Sequence, residues 1–152
     1  MYRVTACFVL FTSFAVSQSA PAKLSDNYGK SAFLALKAIE RDQTTNGLDT
    51  TSQAIANADA EAQSDSEKTV TTALNHISVD HLINNAEREL LLAHYMSEVR
   101  QGKNPPPPTD DPKLKAINER EWNCFRPFED VLRSRSSTIP SECKSLLPKQ
   151  GS

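Results

Sequence analysis

The sequence predicts an all-α protein: a small irregular bundle of four to five helices, with a polyproline linker and one disulfide near the C-terminus. Glycine occurs only four times in 152 residues. The alternation of β-branched and polar residues that marks strands is nearly absent. Apolar residues instead recur at helical spacing, in segments separated by capping residues, glycines and prolines.

Residues 1–19 predict a signal peptide. Arg3 supplies a basic start, and residues 4–16 form an uncharged, mostly apolar run without proline. A transmembrane helix needs about 20 apolar residues, so this run is too short to span a bilayer and has the length of a signal-peptide core. Small residues follow it, and cleavage is expected after Ser17 or Ser19. We therefore expect a secreted, extracellular protein; the alternative is a buried N-terminal segment of a cytosolic domain.

The mature chain, residues 20–152, has the length of one domain. We predict a single helical domain with partly disordered termini. Its first helix is expected over residues 25–42, with Ser25 or Asp26 as the cap. Apolar side chains recur every three or four residues, as a buried helix face requires. That face comprises Tyr28, Ala32, Phe33, Ala35, Leu36 and Ile39.

Two further helical segments follow. The first is expected over residues 51–63; it is rich in alanine and has Ile55 as its only large apolar residue, so we expect it to pack loosely. Residues 65–67 then offer caps and first-turn acids for another helix. The apolar stripe of that helix comprises Val70, Ala73, Leu74 and Ile77.

The longest apolar pattern predicts a helix over residues 79–101. Because its apolar residues cover a broad face, we expect this helix to lie at the centre of the core. Ser78 can cap a new helix here, or the preceding helix continues straight through. Gly102 is expected to end the helix. The apolar residues are Val79, Leu82, Ile83, Ala86, Leu90, Leu91, Leu92, Ala93, Tyr95, Met96 and Val99.

Residues 103–111 contain four consecutive prolines and predict an extended polyproline linker. Such a run is also a typical ligand for aromatic-lined grooves, so linker and ligand are alternatives. The next helix is expected over residues 112–125, begun by Asp111 and interrupted by Pro127. A last apolar turn and a short segment over residues 139–147 complete the chain. The stripe of the 112–125 helix comprises Leu114, Ile117, Phe125 and either Trp122 or Glu121.

The cysteines predict one disulfide. Three are present, but Cys7 would leave with the signal peptide. Cys124 and Cys143 remain, and two thiols in an oxidising compartment are expected to pair. The bridge would close a loop of about 20 residues, worth roughly 3 kcal/mol on the chain-entropy argument. Two free thiols or an intermolecular bridge are the alternatives.

The charge balance argues against nucleic acid as a partner. The whole chain has a net charge of −2, and removal of Arg3 leaves 16 basic against 19 acidic residues. A weakly acidic chain without a basic cluster binds nucleic acid poorly, because that affinity depends on neutralising phosphates. No second long apolar run follows the signal peptide, so we expect no membrane association of the mature form. The sequence leaves the oligomeric state open.

No catalytic, cofactor or metal motif occurs in the sequence. His76 and His81 are five residues apart, so they do not share a helix face as metal ligands at i and i+4 do. Together with His94 they are expected to be surface or boundary residues, and residues 87–89 are expected on a solvated helix face. Nucleophile motifs, glycine-rich phosphate loops and calcium loops are also absent. We therefore expect no cofactor, no metal and no enzymatic activity.

An aromatic cluster beside Cys124 is the candidate interaction surface. It consists of Trp122, Phe125 and Phe128. Packing in the core against the disulfide and the long helix is the favoured interpretation of this cluster. An exposed patch that binds a partner is the alternative.

These observations favour a secreted, non-enzymatic helical protein that binds another macromolecule, of signalling, host-interaction or defence type. The alternative is an extracellular carrier of a small apolar ligand, which would require a closed apolar pocket of about 300 Å³ or more. A secreted enzyme without a recognisable motif is the third hypothesis, and it would require a cleft that gathers acids or histidines with shifted pKa values. The expected partner is thus an extracellular protein or a small apolar ligand.

Overall fold

The computed structural model of the chain describes residues 20–42 and 48–147. The predicted signal peptide and the last residues of the chain lie outside these ranges. No β-strand occurs within them, and the prediction of an all-α bundle is confirmed. The α-helices are α1 (Asp26–Arg41), α2 (Leu48–Glu61), α3 (Asp65–Arg100) and α4 (Pro112–Arg133), and 3-10 helices cover Pro108–Asp110 and Ser141–Leu146.

Helix α1 lies at the centre of the bundle and contacts the other three α-helices. Ser25, one of the two predicted caps, precedes its first residue. The apolar face predicted from the sequence is the face that is buried, and Phe33 packs at its edge. Its buried apolar side chains are Tyr28, Ala32, Ala35, Leu36 and Ile39.

Helix α2 packs more closely than its composition predicts. Thr51, Ile55 and Ala58 are buried, and the helix contacts both α1 and α3. The expectation of a loosely packed helix is therefore not met. Alanine side chains are short, so the backbones of two helices can approach closely at an alanine-rich face.

The two segments predicted on either side of Ser78 form one continuous helix, α3, of 36 residues. At its start the Ser64 side chain accepts a hydrogen bond from the Glu67 N–H, and the Glu67 carboxylate accepts one from the Ser64 N–H. This reciprocal pair is a capping box. At the other end Gly102 adopts a positive φ of 76°, and its N–H bonds to the Val99 carbonyl. Gly102 therefore ends the helix as predicted.

The C-terminal half of α3 does not form the centre of the core, so this prediction from the sequence is wrong. Helices rise about 1.5 Å per residue, so α3 is about 54 Å long, whereas α1 is about 24 Å long. Helix α1 can therefore cover less than half of α3, and the buried apolar residues Val70, Leu74 and Ile77 all lie in the first half of α3. The exposed apolar residues farther along are Val79, Ile83, Leu90, Leu92, Met96 and Val99.

Helix α4 starts as predicted and continues farther than predicted. The Asp111 carboxylate accepts hydrogen bonds from the first N–H groups of the helix, and Pro112 is its first residue. The helix does not stop at Pro127 but runs through it to Arg133. We attribute this to burial on both sides of the proline, at Phe125 and Phe128, which compensates for the lost backbone hydrogen bond.

The C-terminal segment is held against α4 by the predicted cysteine pair. The Sγ atoms of Cys124 and Cys143 lie at bonding distance, with the Cα atoms 4.5 Å apart. Both cysteines and Leu146 are buried. Close by, the Leu24 N–H donates to the Arg135 carbonyl over 2.8 Å. This bond joins the residues that precede α1 to the residues that follow α4.

Candidate functional site

A cleft between α3 and α4 is the candidate functional site. Its volume is about 590 Å³ and it is open to solvent. Polar side chains from both helices form its floor, and apolar side chains form its walls. The floor comprises His81, Asn85, Arg88, Asn118 and Glu121, and the walls comprise Leu92, Leu114, Trp122 and Phe125.

His81 is buried at the base of the cleft with both ring nitrogens facing oxygen atoms. Nδ1 lies 2.9 Å from the Glu121 carboxylate, and Nε2 lies 2.5 Å from the Asp42 carbonyl. A neutral imidazole has one N–H and can satisfy only one of these acceptors, whereas an imidazolium satisfies both. Burial alone would lower the pKa of His81, but the Glu121 carboxylate outweighs it and the net pKa is raised. These contacts therefore favour the doubly protonated, positively charged form of His81.

Glu121 is the anion at the centre of this network. Its carboxylate accepts from His81, from Asn84 Nδ2 over 2.6 Å and from Arg88 Nη2 over 2.5 Å. Burial acts to raise the pKa of Glu121, but the bond from His81 and the other donors lower it below its usual value. These contacts favour the ionised carboxylate, and both of its oxygens accept hydrogen bonds.

Arg88 carries the second positive charge of the floor. Its Nη1 donates to Asn85 Oδ1 over 2.6 Å, and its Nε and Nη2 both donate to Asn118 Oδ1, over 3.1 and 2.9 Å. With the bond to Glu121, the guanidinium uses four of its five N–H groups. His81 and Arg88 together face one carboxylate, so the floor of the cleft carries a net positive charge.

The sequence prediction did not identify this network. His81 was expected at the surface or boundary and residues 87–89 on a solvated face, but His81 is buried and Arg88 is hydrogen-bonded within the cleft. A signal was present, because residues 81, 84, 85 and 88 follow the i, i+3, i+4, i+7 spacing of one helix face. That face is polar, so the hydrophobic pattern alone assigned it to solvent.

The three aromatic residues of the predicted interaction surface divide between core and cleft. Phe125 and Phe128 are buried, and the Phe125 ring packs edge-on against His81 with centroids 5.6 Å apart. Trp122 is 54% exposed at the wall of the cleft, with the Arg126 guanidinium 5.4 Å from its ring centroid. Of the alternatives Trp122 and Glu121, it is Glu121 that lies on the buried side of α4.

A second buried carboxylate, Glu67, joins α1 to α3. It accepts hydrogen bonds from the backbone N–H groups of Ser25, Gln63 and Ser64 over 2.9, 2.9 and 3.0 Å. Burial acts to raise the pKa of Glu67, but these donors outweigh it and lower the pKa to about 2. The Tyr28 hydroxyl donates to the Glu67 carbonyl over 2.7 Å, and burial raises the pKa of Tyr28 to about 12. This cluster stabilises the helix junction.

An exposed apolar stripe runs along the opposite side of α3 from the cleft. Its successive members are four, three, four and three residues apart, which places them in one line along a helix. Ile83 is 62% and Leu90 is 67% exposed. The members are Val79, Ile83, Leu90 and Ala93, which are exposed, and Ala86, which is half-buried, and we call them the α3 stripe.

Within residues 20–42 and 48–147, no group of three or more His, Cys, Asp or Glu side chains is arranged to hold a metal ion. None of the helices described there is both long and apolar enough to cross a membrane. No protein-family model, curated protein or solved structure matches the chain significantly.

Proposed function

We propose that the chain is a secreted, non-enzymatic protein that acts by binding another protein through the α3 stripe. The observation that carries this proposal is the exposure of large apolar side chains in a continuous line, with Ile83 and Leu90 as its most exposed members. Soluble proteins seldom leave a contiguous apolar surface open unless another molecule covers it.

The spacing of the stripe favours a helix as the partner element. An average of 3.5 residues between members keeps a line of side chains facing one neighbouring helix, which can interlock with it. From Val79 to Ala93 the stripe extends over about 21 Å, the length of roughly four helical turns. A single amphipathic helix of similar length would cover it.

The charges beside the stripe favour a partner other than a second copy of the chain. Glu87 and Glu89 lie on either side of the stripe, and Glu87 forms an ion pair with Lys113 of α4. Pairing two copies would bring these carboxylates towards their equivalents, and like charges at a helix interface are destabilising. A partner helix with neutral or basic residues at its borders fits better.

The hydrogen bonds of the buried His81 and Glu121 side chains support a binding role rather than a catalytic one. Both ring nitrogens of His81 contact oxygen atoms of the protein, so neither nitrogen is free to take a proton from a substrate. Glu121 is ionised and accepts three hydrogen bonds. This His–carboxylate pair is therefore held by structural contacts.

Binding through the stripe is tested with the full chain expressed in a secreting host and collected from the medium. Ile83→Glu combined with Leu90→Glu places charges in the stripe, and Leu34→Glu is the matched control because Leu34 is 64% exposed on α1. The protein and its variants are immobilised and exposed to native extracellular fluid, and the bound proteins are identified by mass spectrometry. We expect a partner that the wild type and Leu34→Glu retain and the stripe variant loses. Equal capture by all three would contradict the proposal.

Secretion is tested on the same preparation. The apolar run of residues 4–16, the small residues after it and the buried cysteine pair all support an extracellular location. N-terminal sequencing of the protein in the medium should show a first residue of Gln18 or Ala20. A chain that stays in the cell with Met1 intact would overturn the proposed location.

The second candidate function, a carrier of a small ligand, is favoured by the cleft between α3 and α4. Its volume of about 590 Å³ is in the range of small-molecule sites, about 300–1,000 Å³. It differs from the closed apolar pocket that the sequence hypothesis required, because it is open and its floor is polar. An open cleft with a polar floor suits a ligand that has a polar group as well as an apolar part.

A further inference from the structure

We propose that the cleft between α3 and α4 binds a small amphipathic anion, with its negative head group on Arg88 and Asn118 and its apolar body along Trp122, Leu92 and Leu114. This site lies on the opposite side of α3 from the α3 stripe. The inference therefore goes beyond the proposed protein-binding function and does not rest on it.

The charge of the floor selects an anion. His81 and Arg88 are both positively charged, and Glu121 supplies one negative charge between them. Glu40 also lines the cleft, but its charge is balanced within a cluster in which Lys37 pairs with both Glu40 and Glu129, and Arg133 pairs with Glu129. A monoanion placed here balances the excess charge.

Two donors remain available for the head group. The guanidinium of Arg88 has one Nη1 hydrogen beyond its bonds to Asn85, Asn118 and Glu121. Asn118 accepts from Arg88 through Oδ1, which leaves its amide N–H groups for an incoming oxygen. Both side chains line the cleft, so one carboxylate or sulfonate can accept from both.

The walls of the cleft select a flat or linear apolar body. Trp122 comes from α4 and Leu92 from α3, and both are large apolar side chains that remain exposed without a ligand. Leu114 extends the wall along α4. Binding pockets combine such apolar walls with a few convergent polar groups that fix the orientation of the ligand.

The test uses two probes that share one aromatic skeleton and differ in charge. 1-Anilinonaphthalene-8-sulfonate carries a sulfonate, and N-phenyl-1-naphthylamine is its neutral counterpart. Trp122 is the only tryptophan of the chain, so energy transfer from tryptophan to a bound probe reports occupancy near the cleft. We expect one sulfonate probe to bind per chain, with at least about tenfold higher affinity than the neutral probe, a difference typical of one charge-assisted contact.

Variants locate the bound probe. Arg88→Gln removes the charged donor and should weaken sulfonate binding about tenfold, while changing the affinity for the neutral probe little. Asn118→Leu removes the second donor at an exposed position and provides the test if Arg88→Gln fails to fold, as judged by circular dichroism. Leu90→Glu in the stripe and Leu34→Glu on α1 are the controls, and both should bind the sulfonate as the wild type does.

Three outcomes would overturn the proposal. Equal affinities for the two probes would show that the floor does not select an anion. Unchanged sulfonate binding by a folded Arg88→Gln or Asn118→Leu variant would show that the head group is not held there. Loss of the signal in Leu90→Glu would place the probe on the α3 stripe, leaving the proposed protein-binding surface intact and the cleft without a ligand.

Discussion

At the scale of single residues, the side chains that orient the helices are buried and polar. His81 bonds to Asp42 at the end of α1 and to Glu121 in α4, so one imidazolium ties α3 to two other helices. Glu67 performs the same role at the opposite end of the bundle, between α1 and the start of α3. Both networks are satisfied: among the described residues, every buried side-chain nitrogen and oxygen has a hydrogen-bond partner.

The raised pKa of His81 predicts a loss of stability as the pH rises above about 6.5. Its pKa in the folded protein is raised above that of an unfolded histidine, about 6.5. The stabilisation is therefore fully present below that pH and is lost as the pH rises through the folded pKa. The free energy of unfolding should fall over this window in urea titrations, and the His81 ring should titrate above the ordinary value in NMR spectra. The exposed His94 is the control, and His94→Gln should keep the same pH dependence. A normal or lowered His81 pKa would contradict the assignment.

Glu67 predicts the opposite dependence at acid pH. Its folded pKa of about 2 lies below the unfolded value of 4.5, so its contribution is present above pH 4.5 and is lost as the pH falls towards 2. Glu67→Gln should lower the free energy of unfolding at pH 7 by about 2 kcal/mol, since an amide cannot accept all three backbone bonds. The difference from wild type should shrink between pH 5 and pH 2 in urea titrations. Asp65→Asn, at an exposed position two residues away, should show no comparable effect.

At the scale of helices, local sequence patterns predict where a helix begins, ends and buries a face better than they predict which other helices pack against it. The buried face of α1, the cap at Asp111 and the glycine end of α3 follow from spacing and capping rules that act within a few residues. The exposure of the C-terminal half of α3 does not follow from such rules, because its apolar pattern cannot show whether another helix is long enough to cover it. The cleft was missed for the same reason, since its polar residues come from two helices that are distant in sequence.

Pro127 gives a prediction about α4. It lies inside the helix, where proline removes one backbone hydrogen bond and crowds the preceding turn. Pro127→Ala should therefore raise the free energy of unfolding by about 1 to 3 kcal/mol in urea titrations. Pro112→Ala is the matched control: Pro112 is the first residue of α4, where no helical bond is lost, and its replacement should change stability by less than about 0.5 kcal/mol. A lower free energy of unfolding for Pro127→Ala than for the wild type would mean that the proline does not destabilise α4.

At the scale of the whole molecule, the domain consists of a compact part and a projecting part. The N-terminal half of α3 is enclosed by α1 and α2, and its C-terminal half extends beyond both. Most of the α3 stripe and most of the α3 residues of the cleft lie along that extended half, on opposite sides. The exposed surface of the C-terminal half of α3 thus results from the unequal lengths of the helices. This surface is present only while the compact part remains folded.

The cysteine pair fixes the C-terminal 3-10 helix, which contains Cys143, to α4, which contains Cys124 and lines the cleft. This 3-10 helix contacts α3 and α4. The two cysteines are 19 residues apart, and on the chain-entropy argument a loop of this size contributes about 3 kcal/mol. Cys124→Ala combined with Cys143→Ala should lower the free energy of unfolding by about that amount in urea titrations, and reduction of the wild type should act similarly. Alkylation before and after reduction, followed by intact mass measurement, gives the control: only the reduced chain should gain two alkyl groups on these cysteines. Alkylation of the unreduced, unfolded protein would show that the two thiols are free. The predicted contribution of the disulfide to the free energy of unfolding would then be wrong.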